Sequence, residues 1–397
     1  MLAFWCAASR GTAQAPSTRD SAGIQIVENQ RPRSSSPMAI RLATRPSLVI
    51  GTRAGGAYEF SRIAGAVRLA DHRIVIGDGA STQLRLYDSA GNFLRAFGRR
   101  GDGPGEFSGL SQLYSLAKDS ILAGSPSRLS VFTSSGRYRR RVDPMIPPAL
   151  LPAGERMILA VFAGGTSVMG SIPHPLESGH APATGLRWTD TIRISLFDRH
   201  NAVIGSLAPM PARIMEWRQG LDLESPAFSP QLLTATSGQR WYLAFGSDYS
   251  IRAYTSSGKL TQIIRRQWKP EAADMNDWIA RWMASDSTLS AAQAAARRTD
   301  LRTAPRLAHM PAFAALVADR TGRLWVRESR FTDFLPNGEL SANPSRWSIF
   351  SSKGIWLADA VLPPRFAPTD IGADYVLGIA RDQDGTEMIA MYGLRVI

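Results

Sequence analysis

The stretch that decides the fold is GRRGDGPGEF at residues 98–107, which cannot form the interior of a helix or a strand. It contains four glycines and one proline within ten residues, so it predicts a connection with unusual backbone angles. GTRAGGAYEF at residues 51–60 repeats this frame, with Gly51 aligned to Gly98. An internal repeat of this kind indicates a chain built from similar structural units.

The residues of the joint at 98–107 have separate expected roles. Gly98, Gly103 and Gly105 supply the backbone freedom that the connection needs. We expect the Glu106 carboxylate to bind backbone amides and Phe107 to anchor the strand that follows. Because no Gly-Lys-Ser/Thr follows, the stretch is interpreted as a crossover between units and not as a phosphate-binding loop.

A second repeated pattern is Phe/Tyr-x-x-x-Gly between two apolar strands. It occurs at residues 87–91, 132–136, 197–201, 254–258 and 350–354, with Asn201 in place of glycine once. A hairpin turn of this form needs a positive φ at its last residue, where glycine is best tolerated and asparagine next. The pattern therefore predicts a tight hairpin in each of these units.

A third pattern is a short apolar run that follows a polar tip. There are six such runs, at residues 73–77, 120–124, 156–162, 240–245, 323–326 and 375–380. Short continuous apolar runs are typical of strands that are covered on both faces. The strands after the hairpin turns carry arginines instead, which predicts exposed outer edges.

These patterns together predict an all-β fold, a six-bladed β-propeller with four strands in each blade. The last unit ends at Ile397 and is one strand short. PSLVIG at residues 46–51 leads into the Gly-rich stretch at 51–60, just as a predicted strand leads into the stretch at 98–107. We therefore expect this N-terminal strand to close the last blade as its outer strand.

The joint and the repeated turns resemble those of the NHL-repeat-related six-bladed propellers. Three further stretches are similar to secreted bacterial six-bladed β-propeller proteins of the TolB-like group, at residues 19–29, 313–329 and 363–394. The resemblance covers nearly the whole chain and implies the fold. Most proteins of that group have no assigned activity, so it implies little about function.

The repeat fills residues 46–397 without a linker, which indicates a single propeller domain. Residues 1–15 end in Ala13-Gln14-Ala15 and are interpreted as a truncated signal peptide. This predicts an exported protein, which is periplasmic, associated with the cell envelope, or secreted. Cys6 is the single cysteine and a candidate lipidation site, and a lipid anchor is the only membrane contact that we expect.

Residues 16–45 are rich in serine, proline and arginine, and we interpret them as an extended N-terminal segment. Most of this segment is expected to be a tether, while IQIV at residues 24–27 adds an edge strand.

A helical insertion is predicted at residues 270–303, between blades four and five. Pro270 and Glu271 indicate the start of its first helix. One apolar stripe follows at helical spacing: Met275, Trp278, Ile279, Trp282 and Met283. We expect the stripe to pack on the propeller, and the alternatives are a lid over a ligand or a docking face for another protein.

The long connections are expected on one face, at residues 163–190, 208–226, 267–311 and 327–346. Binding residues tend to lie in such loops, so this face is predicted to bind a protein, peptide or glycan partner. The candidate residues are aromatic or charged: Arg187, Trp188, Glu216, Trp217, Arg218, Trp278, Trp282, Glu328, Arg330 and Trp347.

No motif for a cofactor, a metal or a catalytic nucleophile is evident. Among the five histidines only His174 and His180 share an insertion, where Glu177 could join them. We therefore predict a monomeric binding or scaffolding module without a catalytic site. The alternative is a propeller-type lyase or hydrolase with a metal at the channel mouth, as lyases and lactonases that share the fold have.

The net charge of +13 is the remaining feature that bears on partners. The basic residues are mostly arginines spread over all the blades, which indicates a basic exterior and argues against a nucleic-acid site. Binding of another polyanion is a third alternative, and it predicts an affinity that falls steeply with salt.

Overall fold

Runs of β-branched and aromatic residues form the strands of this protein, and segments with Gly, Asn and Asp form its turns. The computed structural model describes residues 16–33, 40–116, 120–142, 154–173, 183–218, 223–285, 288–333 and 340–396. Within these residues the chain is almost entirely β, with 28 strands and two α-helices. The all-β class is confirmed, and the many small sheets are consistent with a β-propeller.

In the described part of the chain the strands form six sheets, numbered here in chain order. Sheet 1 contains β5 (Ile63–Arg68), β6 (Ile74–Asp78), β7 (Gln83–Tyr87) and β8 (Phe93–Phe97). Sheet 2 contains β9 (Gln112–Leu116), β10 (Ser120–Ser125), β11 (Arg128–Phe132) and β12 (Tyr138–Val142). Sheet 3 contains β13 (Gly154–Val161), β14 (Ser167–Pro173), β15 (Arg187–Phe197), β16 (Val203–Trp217) and β17 (Leu223–Glu224).

The other three sheets follow the same plan, and two of them take strands from the N-terminal segment. Sheet 4 contains β18 (Leu233–Ser237), β19 (Arg240–Ala244), β20 (Ser250–Thr255) and β21 (Leu260–Arg266), with β2 (Ile24–Asn29) and β1 (Ser17–Ser21) outside β21. Sheet 5 contains β22 (Phe313–Ala318), β23 (Leu324–Glu328), β24 (Ser345–Phe350) and β25 (Trp356–Leu362). Sheet 6 contains β26 (Phe366–Ile371), β27 (Tyr375–Arg381) and β28 (Glu387–Val396), with β3 (Ile40–Leu42) and β4 (Leu48–Ile50) outside β28.

Successive strands within each sheet are antiparallel, so their connections alternate between two opposite faces of the molecule. The face that we call the short-turn face carries tight connections, among them residues 69–73, 88–92, 162–166, 238–239 and 319–323. The opposite face, which we call the long-loop face, carries the longer ones, among them residues 51–62, 98–111, 267–312 and 329–344.

The hairpin turns predicted from Phe/Tyr-x-x-x-Gly join the third and fourth strands of sheets 1 to 5. The last residue of each turn has a positive φ, which confirms the predicted turn chemistry: Gly91 (82°), Gly136 (74°), Asn201 (63°), Gly258 (80°) and Gly354 (74°). The residue after the aromatic closes the turn through its side-chain oxygen. Asp88, for example, accepts the backbone N–H of Asn92 at 2.8 Å.

Each sheet packs on the next through a cluster of buried apolar side chains. The clusters lie between sheets 1 and 2, 2 and 3, 3 and 4, 4 and 5, 5 and 6, and 6 and 1. Trp241 and Trp325 are fully buried in two of them. Both faces of every sheet are therefore covered, as the short continuous apolar runs predicted.

Sheet 6 meets sheet 1 through the N-terminal strand β4. It pairs antiparallel with β28, with Ile50 opposite Ile389 and Leu48 opposite Met391. This is the pairing that the sequence predicted for residues 46–51. Upstream of it, β3 pairs with the remaining part of β28.

The tether predicted within residues 16–45 is wrong for the described residues, because this segment follows the outer edges of sheets 4 to 6. The predicted edge strand at 24–27 is present, since β2 pairs parallel with β21. Asn29 is buried and fixes the end of β2. Its side chain donates to the carbonyls of Arg265 and Gly354 at 3.0 Å and accepts the backbone N–H of Trp356 at 2.8 Å.

Sheet 3 also corrects the sequence analysis. The apolar run at 156–162 lies mainly in the first strand β13, whereas the other five runs lie in the second strands of their sheets. The predicted excursion at 163–190 contains β14. The excursion at 208–226 is likewise strand β16 up to Trp217. A run covered on both faces looks the same in any strand of a sheet, so periodicity alone could not place it.

Two helices, α1 (Met275–Ala284) and α2 (Ala291–Thr303), lie between β21 and β22. The predicted start at Pro270 is wrong, because residues 271–273 are extended along residues 308–310, with the Met310 N–H bound to the Glu271 carbonyl. Asp274 caps α1 by accepting two backbone N–H groups. The apolar stripe packs on its own chain, as expected, in a cluster that includes Trp278, Phe228, Met310 and Phe331.

Removal of residues 1–51 should destabilise the protein strongly. Ile40 and Ile50 are 4% and 1% exposed, and burial of each stabilises by about 1.5–3 kcal/mol, so we expect the free energy of unfolding to fall by about 3 kcal/mol or more. Urea denaturation measures this. Removal of residues 1–22 is the matched control, because the only described strand that it removes is the exposed β1. Equal stability of the two shortened chains would contradict the role assigned to β4.

Gly258→Val and Gly385→Val should separate backbone strain from packing. Both glycines have a positive φ of about 80°, but only Gly258 is crowded, since an added Cβ would lie 2.8 Å from Leu196. We expect about 1–2 kcal/mol of destabilisation at Gly385 from φ alone. At Gly258 overpacking should add about 1–3 kcal/mol. Equal losses in urea denaturation would show that the turn is not packed against sheet 3.

Candidate functional site: the central cavity

The first strands of the six sheets surround one cavity of about 430 Å³. These strands are β5, β9, β13, β18, β22 and β26, and each contributes at least one lining residue. Most of the lining comes from the last residues of these strands and from the turns after them, so the cavity lies toward the short-turn face. Its volume is in the range of small-molecule binding sites.

The wall formed by sheet 4 is polar. Thr234 and Thr236 alternate with Ala235, which is buried in the cluster between sheets 4 and 5, so the two threonines share the face toward the cavity. Ser237 follows, and its hydroxyl donates to the carbonyl of Asp319 at 3.0 Å. Hydroxyl groups of this kind can exchange hydrogen bonds with a polar ligand.

The wall formed by sheets 5 and 6 contains an ion pair between Arg320 and Asp370. The guanidinium donates two hydrogen bonds of 2.8 Å, one to each carboxylate oxygen. Asp370 also accepts the Tyr375 hydroxyl at 2.9 Å and the backbone N–H of Arg68 at 2.8 Å. Burial first, and then the nearby negative charge of Asp370, raise the pKa of Tyr375 far above its ordinary value, so this hydroxyl stays a donor.

The second carboxylate of the wall, Asp319, is also paired. It is 1% exposed and accepts from the Arg323 guanidinium at 2.6 Å and from the Trp325 indole at 3.0 Å. The charged groups among the lining residues, Asp319, Arg320 and Asp370, therefore all have an opposite charge beside them. With Arg323 included, they sum to zero.

Two side chains of β9 point into the cavity with hydrogen-bonding capacity to spare. The Oε1 atom of Gln112 is buried and has no hydrogen-bond partner among the described residues. The side chain of Tyr114 is 48% exposed, although the surrounding walls still raise the pKa of its phenol by desolvation. The phenol remains neutral near pH 7, so its hydroxyl is available to an uncharged polar ligand.

None of the ten predicted binding residues lines this cavity, and those of sheet 3 lie at the long-loop face instead. Arg187 and Glu216 are opposite each other across β15 and β16 and form a hydrogen-bonded ion pair of 2.8 Å. Arg187 also donates to the carbonyl of Arg306 at 3.3 Å. Trp217 is only 4% exposed, at the end of β16, so it acts in packing.

The remaining candidates of sheet 3 are also held by neighbours. The indole N–H of Trp188 donates to Asp190 at 2.8 Å, and Arg218 donates to Glu224 at 3.0 Å. These pairs brace the ends of long strands. They do not converge on a common site.

The candidates near the helices are divided between packing and ion pairs. Trp278 is 4% exposed and Trp282 packs beside it with a ring-centroid distance of 6.4 Å. Glu328 accepts from the buried Arg266 at 2.7 Å, while Arg330 lies 3.5 Å from the other oxygen of the same carboxylate. Of this group, Arg330 is the most exposed.

Trp347 is placed differently from the prediction. It was expected in a long loop, but it lies within β24 and is 2% exposed in the cluster between sheets 5 and 6. Its indole N–H donates to the Ser345 hydroxyl at 3.0 Å. Cys6, the candidate lipidation site, and the set His174, Glu177 and His180 lie outside the described residues.

The joint at 98–107 is held by contacts of Glu106 and Phe107. Glu106 accepts the backbone N–H of Gly103 at 2.9 Å and the Arg99 guanidinium at 2.7 Å, and these contacts lower the pKa of the carboxyl group. Phe107 is 2% exposed beneath the turn. A Cβ on Gly98 would lie 2.5 Å from the Phe107 ring, which explains the glycine there, and Gly105 has a positive φ of 77°.

The cavity residues were missed because they carry little sequence signal. Threonine, glutamine, serine and leucine at strand ends are common, and Gln112 and Asp370 are more than 250 positions apart in the sequence. The one available signal was positional. Asp370 lies near the end of the first strand β26 and Asp319 directly follows the first strand β22, so both acidic residues occupy similar places in their units.

Within the described residues no group of three or more His, Cys, Asp or Glu side chains is arranged to hold a metal ion. No helix in that part of the chain is both long enough and apolar enough to cross a membrane.

Comparison with known proteins yields only distant structural likenesses. No family model matches the chain, and no curated protein matches it significantly. A Bacteroides fragilis protein, provisionally named an exported protein, is similar at 11% identity over 94% of this chain and 99% of its own, with a TM-score of 0.48. A member of the DUF4221 family from Bacteroides vulgatus is similar at 9% identity over 90% and 99%, with a TM-score of 0.49.

A third similar structure is the PQQ-bound aldose sugar dehydrogenase of Streptomyces coelicolor, at 10% identity over 90% of this chain and 98% of that one. Its TM-score is 0.42. Likenesses at this level do not define a family for the chain or a ligand for the cavity.

Asp370→Ala should destabilise the protein by about 2–3 kcal/mol, less than the loss of a fully buried pair, because the Arg320 side chain keeps a third of its surface in solvent. The substitution removes the carboxylate that accepts from the Arg320 guanidinium and from the Tyr375 hydroxyl. Asp102→Ala is the control, since Asp102 pairs with Arg128 but is 82% exposed and should contribute less than about 1 kcal/mol. Similar losses for both variants in urea denaturation would contradict the assigned network.

Proposed function

We propose that the protein is an exported six-bladed β-propeller, of the NHL-related and TolB-like kind, that binds an uncharged small molecule in its central cavity. The observation that carries the proposal is that the first strand of every one of the six sheets lines the same cavity. In β-propellers the blades surround a central channel, so each sheet is interpreted as one blade.

Two further observations support the proposed blade arrangement. The pairing of β4 with β28 supports closure of the sixth blade by the N-terminal strand. The helices α1 and α2 follow the last strand of sheet 4 and precede the first strand of sheet 5, which supports an insertion between blades four and five. Neither the closing strand β4 nor the helices α1 and α2 would then occupy the central channel.

Export is proposed from the sequence alone. Residues 1–15 end in Ala13-Gln14-Ala15, which is typical of a signal-peptide cleavage site. The protein would then act in the periplasm, at the cell envelope or outside the cell.

A binding role is favoured by the state of the polar groups in the cavity. The acidic and basic side chains of the wall already neutralise each other, so none of them is set apart as a general acid or base. Tyr114 is neutral, exposed and can exchange hydrogen bonds with a ligand. Such a wall recognises a ligand by hydrogen bonds and shape.

A thermal-shift screen of neutral amides, alcohols, lactones and sugars should find compounds that stabilise the protein. A ligand present at one hundred times its Kd stabilises by about 2.7 kcal/mol, which is measurable as a rise in Tm. Ala163→Trp should abolish this rise, because Ala163 lines the cavity from an exposed turn where a large side chain can enter it without disturbing the core.

Ala90→Trp is the matched control. Ala90 is an exposed turn residue of sheet 1 on the same face, and it does not line the cavity. The proposal requires compounds that stabilise the wild type and Ala90→Trp but not Ala163→Trp. It fails if no neutral compound stabilises the protein, or if stabilisation persists in Ala163→Trp.

A further inference from the structure

The outer edges of the six sheets are not covered equally. The N-terminal segment pairs with sheet 4 through β2 and with sheet 6 through β3 and β4, and on sheet 5 Trp356 is hydrogen-bonded to Asn29 and Arg33. Among the described residues no strand pairs with the outer sides of β8 and β12, and only the two-residue β17 pairs with the end of β16. The outer edges of sheets 1 to 3 are therefore largely open.

The outer strands of sheets 1 and 3 begin with apolar side chains that face solvent. β8 begins with Phe93 and Leu94, which are 37% and 49% exposed, and β16 begins with Val203 and Ile204, which are 44% and 54% exposed. Of the seven exposed large apolar side chains in the described part of the chain, these four occupy one position of the repeated unit. In sheet 5 the same position is Trp356, which is only 6% exposed beside the N-terminal segment.

Arginines lie in the same turns and strands. These segments contain six arginines and two aspartates, at residues 88–97, 133–142 and 198–206. The carboxylates of Asp88 and Asp198 accept backbone N–H groups of their own turns. In the part of the chain that the structure describes, the guanidinium groups of Arg95, Arg137 and Arg139 form no ion pair with a carboxylate. The positive charge of this region is therefore largely uncompensated.

The exposed residues of the three sheets lie toward the same seams. The Arg95 guanidinium lies against the hairpin turn of sheet 2, since a Cβ added to Gly136 would lie 3.0 Å from it. Arg140 is opposite Val131, and Val203 is opposite Phe197. Val131 and Phe197 belong to the cluster between sheets 2 and 3, and residues opposite each other on paired strands share a face. We call the surface formed by residues 93–95, 137–140 and 203–204 the basic rim.

The charge of the basic rim limits what can cover it. A second copy of the chain, docked as a symmetric pair, would set arginines against arginines, which repel each other. A soluble polyanion would pair with the arginines but would leave the apolar side chains in water. A surface of anionic lipids suits both kinds of residue, because its phosphate groups accept from guanidinium groups while apolar side chains enter the boundary of the acyl region.

We propose that the basic rim binds the surface of an anionic lipid membrane, with Leu94 and Ile204 inserted between the headgroups and Arg137 and Arg139 bound to lipid phosphates. The inference goes beyond the proposed function, because no residue of the basic rim lines the central cavity. A protein docked through this rim would keep its cavity open to a ligand.

Flotation of the full chain with vesicles made of equal parts of phosphatidylglycerol and phosphatidylcholine measures this binding. An arginine near an anionic surface tightens binding roughly fivefold, so Arg137→Gln combined with Arg139→Gln should weaken it roughly tenfold or more. Arg19→Gln combined with Arg298→Gln is the matched control, since it removes the same charge from two exposed residues of β1 and α2. Equal losses in the two double variants would overturn the basic rim as the binding surface.

Leu94→Ser combined with Ile204→Ser tests the insertion of apolar side chains. Because both side chains are about half exposed, the free energy of unfolding in urea should stay close to that of the wild type. Loss of both apolar contacts should weaken vesicle binding roughly tenfold or more. Leu186→Ser combined with Val361→Ser is the matched control, because these side chains are 49% and 57% exposed outside the basic rim. The control should bind as the wild type does.

The remaining outcomes distinguish a lipid surface from other partners. Loss of binding in the arginine variant alone, with unchanged binding in the Leu94 and Ile204 variant, would indicate a polyanion site and overturn the lipid surface. Equal binding to vesicles of phosphatidylcholine alone, or no binding to either kind of vesicle, would also overturn it. A dimer in sedimentation experiments that the Leu94 and Ile204 variant abolishes would assign the rim to a second copy of the chain instead.

Discussion

The antiparallel pairing of β4 with β28 is the contact on which the ring of sheets depends. Every sheet carries apolar side chains on both faces and needs a neighbour on each side, so the first and last sheets must meet. Ile50 is buried at this seam against residues of both sheets, among them Tyr87 and Ile389. Burial raises the pKa of Tyr87 to about 12, so its phenol stays protonated where it packs at the seam.

The N-terminal segment that leads to β4 also links the preceding sheets to one another. β2 pairs with the outer strand of sheet 4, Asn29 ties that strand to Trp356 of sheet 5, and β3 pairs with β28 of sheet 6. A sheet edge left open has unpaired backbone groups, so this path also covers edges that could pair with another chain. The N-terminal segment therefore holds three consecutive sheets together from outside, while the apolar clusters hold them from inside.

The sequence could predict those structural features that depend on only a few neighbouring residues. The positive φ at Asn201 follows from its place in a repeated turn, and the contacts of Glu106 and Phe107 follow from the composition of one joint. The stripe from Met275 to Met283 was predicted for the same reason, since helical spacing alone brings its members to one face. These features need no knowledge of the rest of the chain.

The cavity could not be predicted in this way, because its wall is set by how six distant strands pack. No local pattern distinguishes Gln112, whose amide oxygen is left unpartnered, from a glutamine that is hydrogen-bonded. The same limit explains the error over Trp347, since a tryptophan near a predicted loop is exposed or buried according to the strand register. The helix start was misplaced because Ala272 and its neighbours pair with residues near His309, a contact that propensity does not encode.

The two faces of the molecule differ in how their polar groups are used. On the long-loop face the charged residues are used within the chain, as Arg187 with Glu216 and Arg266 with Glu328. The long connections there cover the ends of the sheets, and their tryptophans are packed. On the short-turn face the tight turns leave the channel uncovered, and neutral groups such as Tyr114 keep unused hydrogen-bonding capacity. A long connection across a sheet end has to satisfy its own buried polar groups, whereas a short turn leaves the cavity beside it open.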